Sequence, residues 1–400
     1  MRTRLILSLM TAGLSACGGL GPTGPSDSPG RVLILGSTDA VITVDPADGS
    51  VLFRETGITP PTDWSMLFRD RLDGDRTRLE VLDTVDGVTL ASAAVPGELN
   101  VRVVSSDGSL VALMLPHSGD SPWVPEPRAS TAITVARPFE GTEARRYVLE
   151  GNFEPEAFSG DGGTLYLIRY LPPMSPRGYR VVSLDLADGE VSPVGTGVKG
   201  VVETMTGTRL EQVASPDGSM LFTLYTTQGN VGVAHENAVG FIHTLSLAGG
   251  WAHCIPLPEE LWGGDPDDQA MAISPDGDRL YVVDTARRIV AVMETASLEM
   301  TSTVAERLVA DPDGETHAAI GPDDALVVSA GSRVVSLDPG TLEPIDTWAF
   351  DAPVQGLGTA PRELLVAVPG AVHALRGDAG HTLILAPVVD ELAHVNVLER

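Results

Sequence analysis

The chain has 400 residues and a formal net charge of -28, from 54 acidic and 26 basic side chains. This excess of negative charge repels phosphate backbones and anionic lipid headgroups, which excludes nucleic acid as a partner. Hydrophobic residues make up 43% of the chain, whereas only two positions are cysteine. A large apolar core, rather than a disulfide framework, is therefore expected to stabilise the fold.

The N-terminal segment has the pattern of an export signal. A short basic start precedes an uncharged apolar stretch, Leu5 to Ala16. This stretch is shorter than the roughly 20 residues that cross a bilayer as a helix, so residues 1–16 are predicted to be a signal peptide. Its end, Leu14 to Cys17, resembles the lipobox of bacterial lipoproteins. The resemblance implies cleavage before Cys17 and attachment of a diacylglyceryl group and palmitate to that residue.

Residues 17–30 consist of the lipidated cysteine and a segment made almost entirely of Gly, Pro and Ser, which is typical of a flexible linker. Residues 31–400 are then predicted to form one exported domain, tethered by lipid to the cell membrane or the outer membrane. The alternative is an ordinary secretory peptide with a cysteine near its cleavage site.

From Arg31 onward, short runs of Val, Ile, Leu, Thr and Tyr alternate with Asp-Gly, Pro and Gly turns, which predicts an all-β domain. One turn phrase, with Asp two residues after its start, lies between two apolar runs at five places, beginning at Ser105, Ser159, Ser215, Ser274 and Gly321. Aspartate can hydrogen-bond its own local backbone, and glycine takes the positive φ that closes a hairpin. Calcium would need six or more oxygens around one ion, so these isolated aspartates are interpreted as turn formers.

A second phrase, a strand that ends in a turn before another strand, predicts the third and fourth strands of a four-stranded unit. Its copies begin at Ala40, Thr77, Thr131, Arg180, Val239, Ile289, Arg333 and Ala371. They start roughly 37 to 59 residues apart, a spacing typical of propeller blades. Eight copies predict eight blades, although seven is the commoner number. Two packed β-sandwiches are the alternative, but sandwiches lack a four-strand superperiod.

A family resemblance rests on three consecutive motifs of one unit, 268–307. They are Ile273 to Gly277, Leu280 to Asp284 and Ile289 to Val292, and together they resemble the YVTN-type and lactonase-like β-propeller repeats. The other units match in part over most of 31–390. The resemblance implies a β-propeller of four-stranded blades, seven or eight in number. Such propellers include binders, lyases, lactonases and scaffolding proteins, so the resemblance implies a scaffold and not an activity.

The first unit lacks an innermost strand of its own. The segment His394 to Leu398 has the composition of a strand and lies near the other end of the chain. We expect it to supply the missing strand and close the ring, as happens in many propellers.

Candidate binding residues lie just ahead of the repeated turns, where innermost strands start and line the channel of a propeller. Charged or amide side chains gather there, although core packing alone favours Val or Ala. These residues are Arg102, Glu156, Glu211, Gln212, Gln269 and His317. Three of them offer carboxylate or imidazole ligands for a divalent metal, namely Glu156, Glu211 and His317. The alternative is that they are solvated residues at the channel mouth.

No serine lies in a Gly-x-Ser-x-Gly setting, so the sequence does not support Ser/His/Asp catalysis. The sequence favours a non-enzymatic, lipid-anchored propeller of the cell envelope that binds a protein, peptide or glycan, with no cofactor predicted. The alternative is a lactonase-like hydrolase or another propeller enzyme, assisted by a divalent metal at the three residues just named.

Overall fold

The computed structural model describes residues 31–36, 40–61, 64–117, 125–141, 143–196, 204–226, 240–308, 314–360, 362–376, 380–385 and 394–399. The predicted signal peptide, Cys17 and the linker lie outside the described residues. Within the described part of the chain, no helix combines the length and the apolar character needed to cross a membrane.

The described strands pair into eight antiparallel sheets of four strands each, which are the blades of a β-propeller fold. The all-β prediction is thereby confirmed, and the sandwich alternative is wrong. The chain divides into two compact units: residues 57–263 form one, and the residues before and after them form the other. Each unit contains four blades, numbered here in chain order.

The unit of residues 57–263 holds blades 2 to 5. Blade 2 has β4 (Ile58–Thr59), β5 (Met66–Asp73), β6 (Arg76–Asp83) and β7 (Thr89–Pro96); blade 3 has β8 (Asn100–Val104), β9 (Val111–Met114), β10 (Ser130–Ala136) and β11 (Arg145–Glu150). Blade 4 has β12 (Asn152–Phe158), β13 (Thr164–Leu171), β14 (Gly178–Asp185) and β15 (Val191–Pro193); blade 5 has β16 (Thr208–Ala214), β17 (Met220–Thr226), β18 (Phe241–Ser246) and β19 (Trp251–Pro256). A short 3-10 helix, Glu259–Leu261, follows.

The other unit holds blade 1 and blades 6 to 8. Blade 1 has β1 (Arg31–Gly36), β2 (Ala40–Val44), β3 (Val51–Thr56) and β32 (His394–Glu399); blade 6 follows the 3-10 helix Pro266–Asp268 and has β20 (Gln269–Ile273), β21 (Arg279–Asp284), β22 (Ile289–Glu294) and β23 (Glu299–Val304). Blade 7 has β24 (Thr316–Ile320), β25 (Leu326–Ala330), β26 (Arg333–Leu337) and β27 (Pro344–Ala349); blade 8 has β28 (Gly356–Ala360), β29 (Glu363–Val368), β30 (Ala371–Arg376) and β31 (Gly380–Leu385).

All eight third strands predicted from the second phrase are third strands in the structure. They are β2, β6, β10, β14, β18, β22, β26 and β30. Their apolar runs bury residues on both faces because each blade packs against other blades of its unit. In β22, for example, Val290 and Ala291 are both fully buried. Counting these strands therefore gives the number of blades.

The strand near the other end of the chain completes blade 1, as predicted. β32 pairs antiparallel with β1 over six residues, from Arg31 opposite Glu399 to Gly36 opposite His394. It becomes the first strand of the blade, ahead of β1 in the order of the sheet. Because the two strands are 358 positions or more apart in the chain, only long-range pairing forms this sheet.

The repeated turns between first and second strands are held by a serine and an aspartate. In blade 6, the Ser274 hydroxyl donates to Asp276 Oδ1 at 2.5 Å and accepts from the Arg279 amide at 2.9 Å. The same contacts recur in blades 3, 4 and 5. The serine hydrogen bond lowers the pKa of Asp276 below its usual range. These aspartates are turn formers, as the sequence predicted.

Replacing Ser274 with Ala is expected to destabilise the protein by about 1 kcal/mol, since it removes both hydroxyl contacts of a partly exposed turn. Equilibrium unfolding in urea measures the change. A matched control is Ser297→Ala in the turn between β22 and β23 of blade 6, where, within the described residues, the hydroxyl accepts one longer bond, 3.3 Å from the Glu299 amide. Equal effects of the two substitutions would contradict the assigned role of the turn serine.

Candidate functional site

The first strands of blades 4 and 5 bring three polar side chains together. Gln212 Nε2 donates to Glu156 Oε1 at 2.6 Å and to Thr223 Oγ1 at 3.0 Å. Arg209 donates from one terminal nitrogen to Gln212 Oε1 at 2.6 Å and from the other to Glu156 Oε2 at 3.3 Å. Each of the three contacts the other two. We call this set, Glu156, Arg209 and Gln212, the Glu156 network.

In the Glu156 network the carboxylate is buried, whereas the arginine is partly exposed to solvent. The Glu156 side chain is only 4% exposed, whereas that of Arg209 is 33% exposed. A buried carboxylate strongly destabilises a protein unless it has an ion-pair partner and hydrogen bonds. For Glu156, Arg209 supplies the ion pair and Gln212 donates a hydrogen bond. Burial alone would lower the pKa of Arg209, but Glu156 and nearby tyrosines raise it above its usual value. The arginine is therefore a fixed positive charge with one side toward solvent.

β-Bulges explain how these side chains are aimed. The pairing of β12 with β13 shifts at Glu156, between Pro155 and Ala157. The pairing of β8 with β9 shifts at the equivalent position, Arg102. A bulge inserts one unpaired residue and turns its side chain out of the regular alternation. The first strands of blades 3 and 4 thus present charged residues where a regular strand would continue its core pattern.

A second ion-pair group centres on Glu154, also in β12. Arg128 Nη1 lies 3.1 Å from Glu154 Oε2, and Arg102 Nε lies 3.5 Å from Glu154 Oε1. Arg102 also donates to the Leu115 carbonyl at 2.8 Å. Glu126 lies beside Arg128, at 3.7 Å. Positive and negative side chains alternate from blade 3 to blade 5, so this region has little net charge of its own.

Four aromatic rings lie beside the charged groups, at the ends of second strands and the starts of third strands. Tyr170 and Tyr179 of blade 4 meet edge to face at 6.2 Å between ring centroids, and Tyr179 is 5.4 Å from Tyr225 of blade 5. Tyr225 stacks on Phe241 at 5.1 Å. We call these four residues the aromatic row. Such offset and edge-to-face geometries are favourable for aromatic pairs.

Arg209 lies directly opposite Tyr225 in the pairing of β16 with β17, so the aromatic row and the Glu156 network form one site. Burial first, and then Glu154 and Glu156, raise the pKa of Tyr170 far above its usual range. Burial and Glu156 likewise raise the pKa of Tyr225. These phenols therefore stay neutral hydrogen-bonding groups at physiological pH. We call Glu154, the Glu156 network and the aromatic row together the blade 4–5 site.

The Tyr179 hydroxyl makes no well-formed hydrogen bond within the described residues, although the residue is only 7% exposed. The Tyr225 phenol lies nearby as a poorly aligned partner. Burial and the neighbouring tyrosines raise the pKa of Tyr179 well above 10.0. A buried polar atom without a partner costs about 1–3 kcal/mol, so such atoms are uncommon in folded proteins. A hydroxyl without a well-formed bond inside the blade 4–5 site can hydrogen-bond a ligand there.

The structure brings together some of the predicted candidates and separates others. Arg102, Glu156 and Gln212 share one offset from the repeated turn. Arg102 pairs with Glu154 and Gln212 donates to Glu156, and both of these glutamates lie on β12, so the three candidates lie in one polar region of blades 3 to 5. Glu211 is buried, and strand alternation points it to the opposite face from Gln212. Glu156 therefore contacts Gln212 and not Glu211, the residue that was predicted to share a metal ion with it.

Gln269 and His317 lie in the other unit. Gln269 is 3% exposed and donates to Asp284 Oδ2 at 3.2 Å, an oxygen that also accepts from Arg287 Nη1 at 2.7 Å. A Cβ added at Gly264 would lie 2.3–2.6 Å from atoms of these three side chains, which shows how closely they are covered. This packing favours a structural role for Gln269. His317 is half-buried in β24.

No group of three or more His, Cys, Asp and Glu side chains within the described ranges is arranged to hold a metal ion. Of the three predicted metal ligands, Glu156 is engaged by Arg209 and Gln212. Glu211 lies on the other face of its strand, and His317 is in the other unit.

The sequence positions just ahead of the repeated turns do not include Arg209 or the aromatic row. Arg209 lies at the start of β16, just before the positions that were compared. Tyr170 and Tyr225 occupy the same place near the ends of β13 and β17, so a comparison of second-strand ends would have revealed them. Tyr179 and Phe241 pair directly with those two tyrosines across the sheet.

His243 lies beside this site and is a packing residue with a measurable pH effect. It is 3% exposed, and burial together with nearby His253 lowers its pKa from 6.5 to about 4. The unfolded chain therefore binds a proton between pH 6.5 and 4 that the folded protein does not. Folding stability is full above pH 6.5 and falls on acidification through this window.

We expect His243 to make the protein about 2 kcal/mol less stable at pH 5 than at pH 7, from about 1.4 kcal/mol per pH unit. Replacing His243 with Phe keeps the ring and removes the titration, so this part of the acid sensitivity should disappear. Urea unfolding at the two pH values measures it. His373→Phe, at a partly exposed ring of blade 8, is the matched control and should retain the wild-type difference.

No family model and no curated protein sequence matches this chain. Among solved structures it is similar to apo AztD from Citrobacter koseri, with a TM-score of 0.57 and 12% identity over 92% of this chain and 98% of that one. It is also similar to the dihydro-heme d1 dehydrogenase NirN in complex with DHE, with a TM-score of 0.53 and 12% identity over 96% of this chain and 77% of that one. Both neighbours are β-propellers, and at these identities the likeness shows the fold alone.

Proposed function

We propose that this protein is a lipid-anchored, non-enzymatic propeller of the cell envelope that binds its ligand at the blade 4–5 site. The observation that supports binding is the Glu156 network, in which a buried carboxylate holds an arginine that is 33% exposed. A propeller core needs no such group, since apolar residues at these positions would be at least as stable. The network is therefore best explained by what Arg209 offers to a ligand.

The support for an envelope location is in the sequence. A basic start, a short apolar segment and a lipobox-like end at Cys17 are the features that direct lipid attachment outside the cytoplasm. The linker that follows would let the propeller stand away from the lipid surface. A protein, peptide or glycan of the envelope is then within reach of the site.

Binding is tested with the full chain carrying Cys17→Ser, exported with a signal peptide whose removal does not depend on the thiol. The purified protein is mixed with washed envelopes, and the bound fraction is measured by sedimentation. The double variant Arg209→Met, Glu156→Gln removes both charges of the network without leaving either one unpaired. We expect its binding to fall at least tenfold, which corresponds to about 1.4 kcal/mol.

The matched control is Arg279→Met, Glu294→Gln, which removes an exposed pair, 3.1 Å apart, on blade 6. This control should bind envelopes like the parent chain. Absence of binding by the parent, or an equal loss in both double variants, would refute the proposed binding site.

The metal-assisted hydrolase predicted as the alternative has no further support, since the described part of the chain contains no suitable group of ligands. Metal analysis of the purified protein tests it directly. A stoichiometric divalent ion that is lost on replacing Glu156 would favour the alternative over a binding platform.

A further inference from the structure

The charges around the blade 4–5 site indicate which class of ligand it accepts. Arg102, Arg128 and Arg209 are balanced there by three carboxylates, those of Glu126, Glu154 and Glu156. An anionic ligand would meet these carboxylates and the field of a protein with net charge -28. A cationic ligand would meet three arginines held in place by ion pairs. A neutral ligand avoids both penalties.

The hydrogen-bonding groups of the site are of both kinds. A guanidinium has five N–H donors, and the Glu156 network uses two of those of Arg209. Glu154, 30% exposed, offers carboxylate oxygens as acceptors. The buried Tyr179 hydroxyl, which makes no well-formed hydrogen bond within the described residues, can donate or accept. A matching ligand must therefore carry several groups that both donate and accept, which is a property of hydroxyl groups.

The aromatic row adds an apolar surface next to these groups. Tyr170 and Phe241 are partly exposed, whereas Tyr179 and Tyr225 between them are buried. Rings of this kind pack against flat apolar faces, while their polar neighbours fix orientation. The C–H face of a sugar ring combines such a surface with a rim of hydroxyl groups.

We infer that the blade 4–5 site binds a neutral saccharide, with Arg209 and Glu154 bonding its hydroxyl groups, Tyr179 bonding a further hydroxyl and the aromatic row supporting the ring. This inference rests on the proposed function, because it assigns a ligand class to the same site. The inference restricts the proposed ligand, a protein, peptide or glycan of the envelope, to an uncharged glycan.

Calorimetric titration of the Cys17→Ser chain with maltotriose and with N,N′-diacetylchitobiose tests the inference. Glucosamine and glucuronate are the cationic and anionic comparisons. We expect at least one neutral saccharide to bind, and to bind at least tenfold more tightly than either charged sugar. Tighter binding of a charged sugar, or no binding of either neutral one, would overturn the inference.

The variant Tyr179→Phe separates binding from folding. It removes only a buried hydroxyl that makes no well-formed hydrogen bond within the described residues, so a purely structural tyrosine predicts nearly unchanged stability and unchanged affinity. We expect stability to be retained and affinity for the neutral saccharide to fall about fivefold, the effect of one lost hydrogen bond. Unchanged affinity would remove Tyr179 from the site and contradict the inference.

The envelope assay distinguishes failure of this inference from failure of the proposed function. If no neutral saccharide binds, but envelope binding still depends on Arg209 and Glu156, the site is a platform for another ligand and only the saccharide inference falls. If envelope binding is also absent, both fall.

Discussion

Changing Cys17 to Ser should move the protein from the membrane fraction to the soluble exported fraction. A lipidated Cys17 would carry two or three acyl chains, and each buried methylene contributes about 0.8 kcal/mol to membrane attachment. One chain alone gives marginal binding, whereas two or more give stable anchoring. The propeller, in a chain of net charge -28, is expected to add no affinity for anionic lipid.

The release should leave the fold unchanged, because Cys17 precedes a segment of Gly, Pro and Ser and lies ahead of the first strand, β1. Fractionation followed by a high-salt wash measures the location, and urea unfolding of the released protein checks its stability. The variant needs a signal peptide that is removed independently of the thiol. A processed variant that still resists the wash would show that something other than lipid holds the protein on the membrane.

Deleting residues 394–400 should have the largest effect on folding, because it removes β32 from blade 1. All six residues of β1 would lose their partner strand on that side. β32 also lies against β28 and β29 of blade 8, so the loss extends to a second blade of the unit. An exposed strand edge with buried neighbours such as Leu33 and Leu35 promotes aggregation. We expect the truncated protein to be largely aggregated, as measured by size-exclusion chromatography.

A rearranged chain provides the control for this deletion. Glu399 lies opposite Arg31 in the antiparallel pair, so the segment 394–399 can be joined by a short turn directly ahead of Arg31. The segment would then form a hairpin with β1 and give blade 1 the chain order of the other blades. This variant should regain solubility and cooperative unfolding. A truncated protein as stable as the full chain would show that β32 does not hold blade 1 together.

The sequence by itself determined the fold class and limited the number of blades to seven or eight. Hairpin turns depend on local chemistry: Ser274 and Asp276 form their contacts within six residues of chain, so the phrase is visible wherever it recurs. Eight copies of the third-strand phrase favoured eight blades for the same reason, and the structure decided between seven and eight. The missing strand of blade 1 was also predictable, since a blade with three strands must find a fourth elsewhere in the chain.

Part of the candidate site was predictable in the same way. Arg102, Glu156 and Gln212 share one offset from the turn. Equivalent positions of repeated units lie on the first strands of neighbouring blades. The residues ahead of the repeated turns therefore predicted a gathering of polar side chains, and Gln212 donates to Glu156 in this region.

Only the tertiary structure decided which of these side chains meet. Glu156 meets Gln212 because blade 4 packs against blade 5, whereas Glu211 points to the other face of β16. Arg209 joins them across two blades, and Tyr179 meets Tyr225 of the next blade. These contacts depend on how separate sheets pack, which has no signature in the spacing of residues along one strand. Turn chemistry is local and recurs with the repeat, whereas a site between blades is formed by long-range packing.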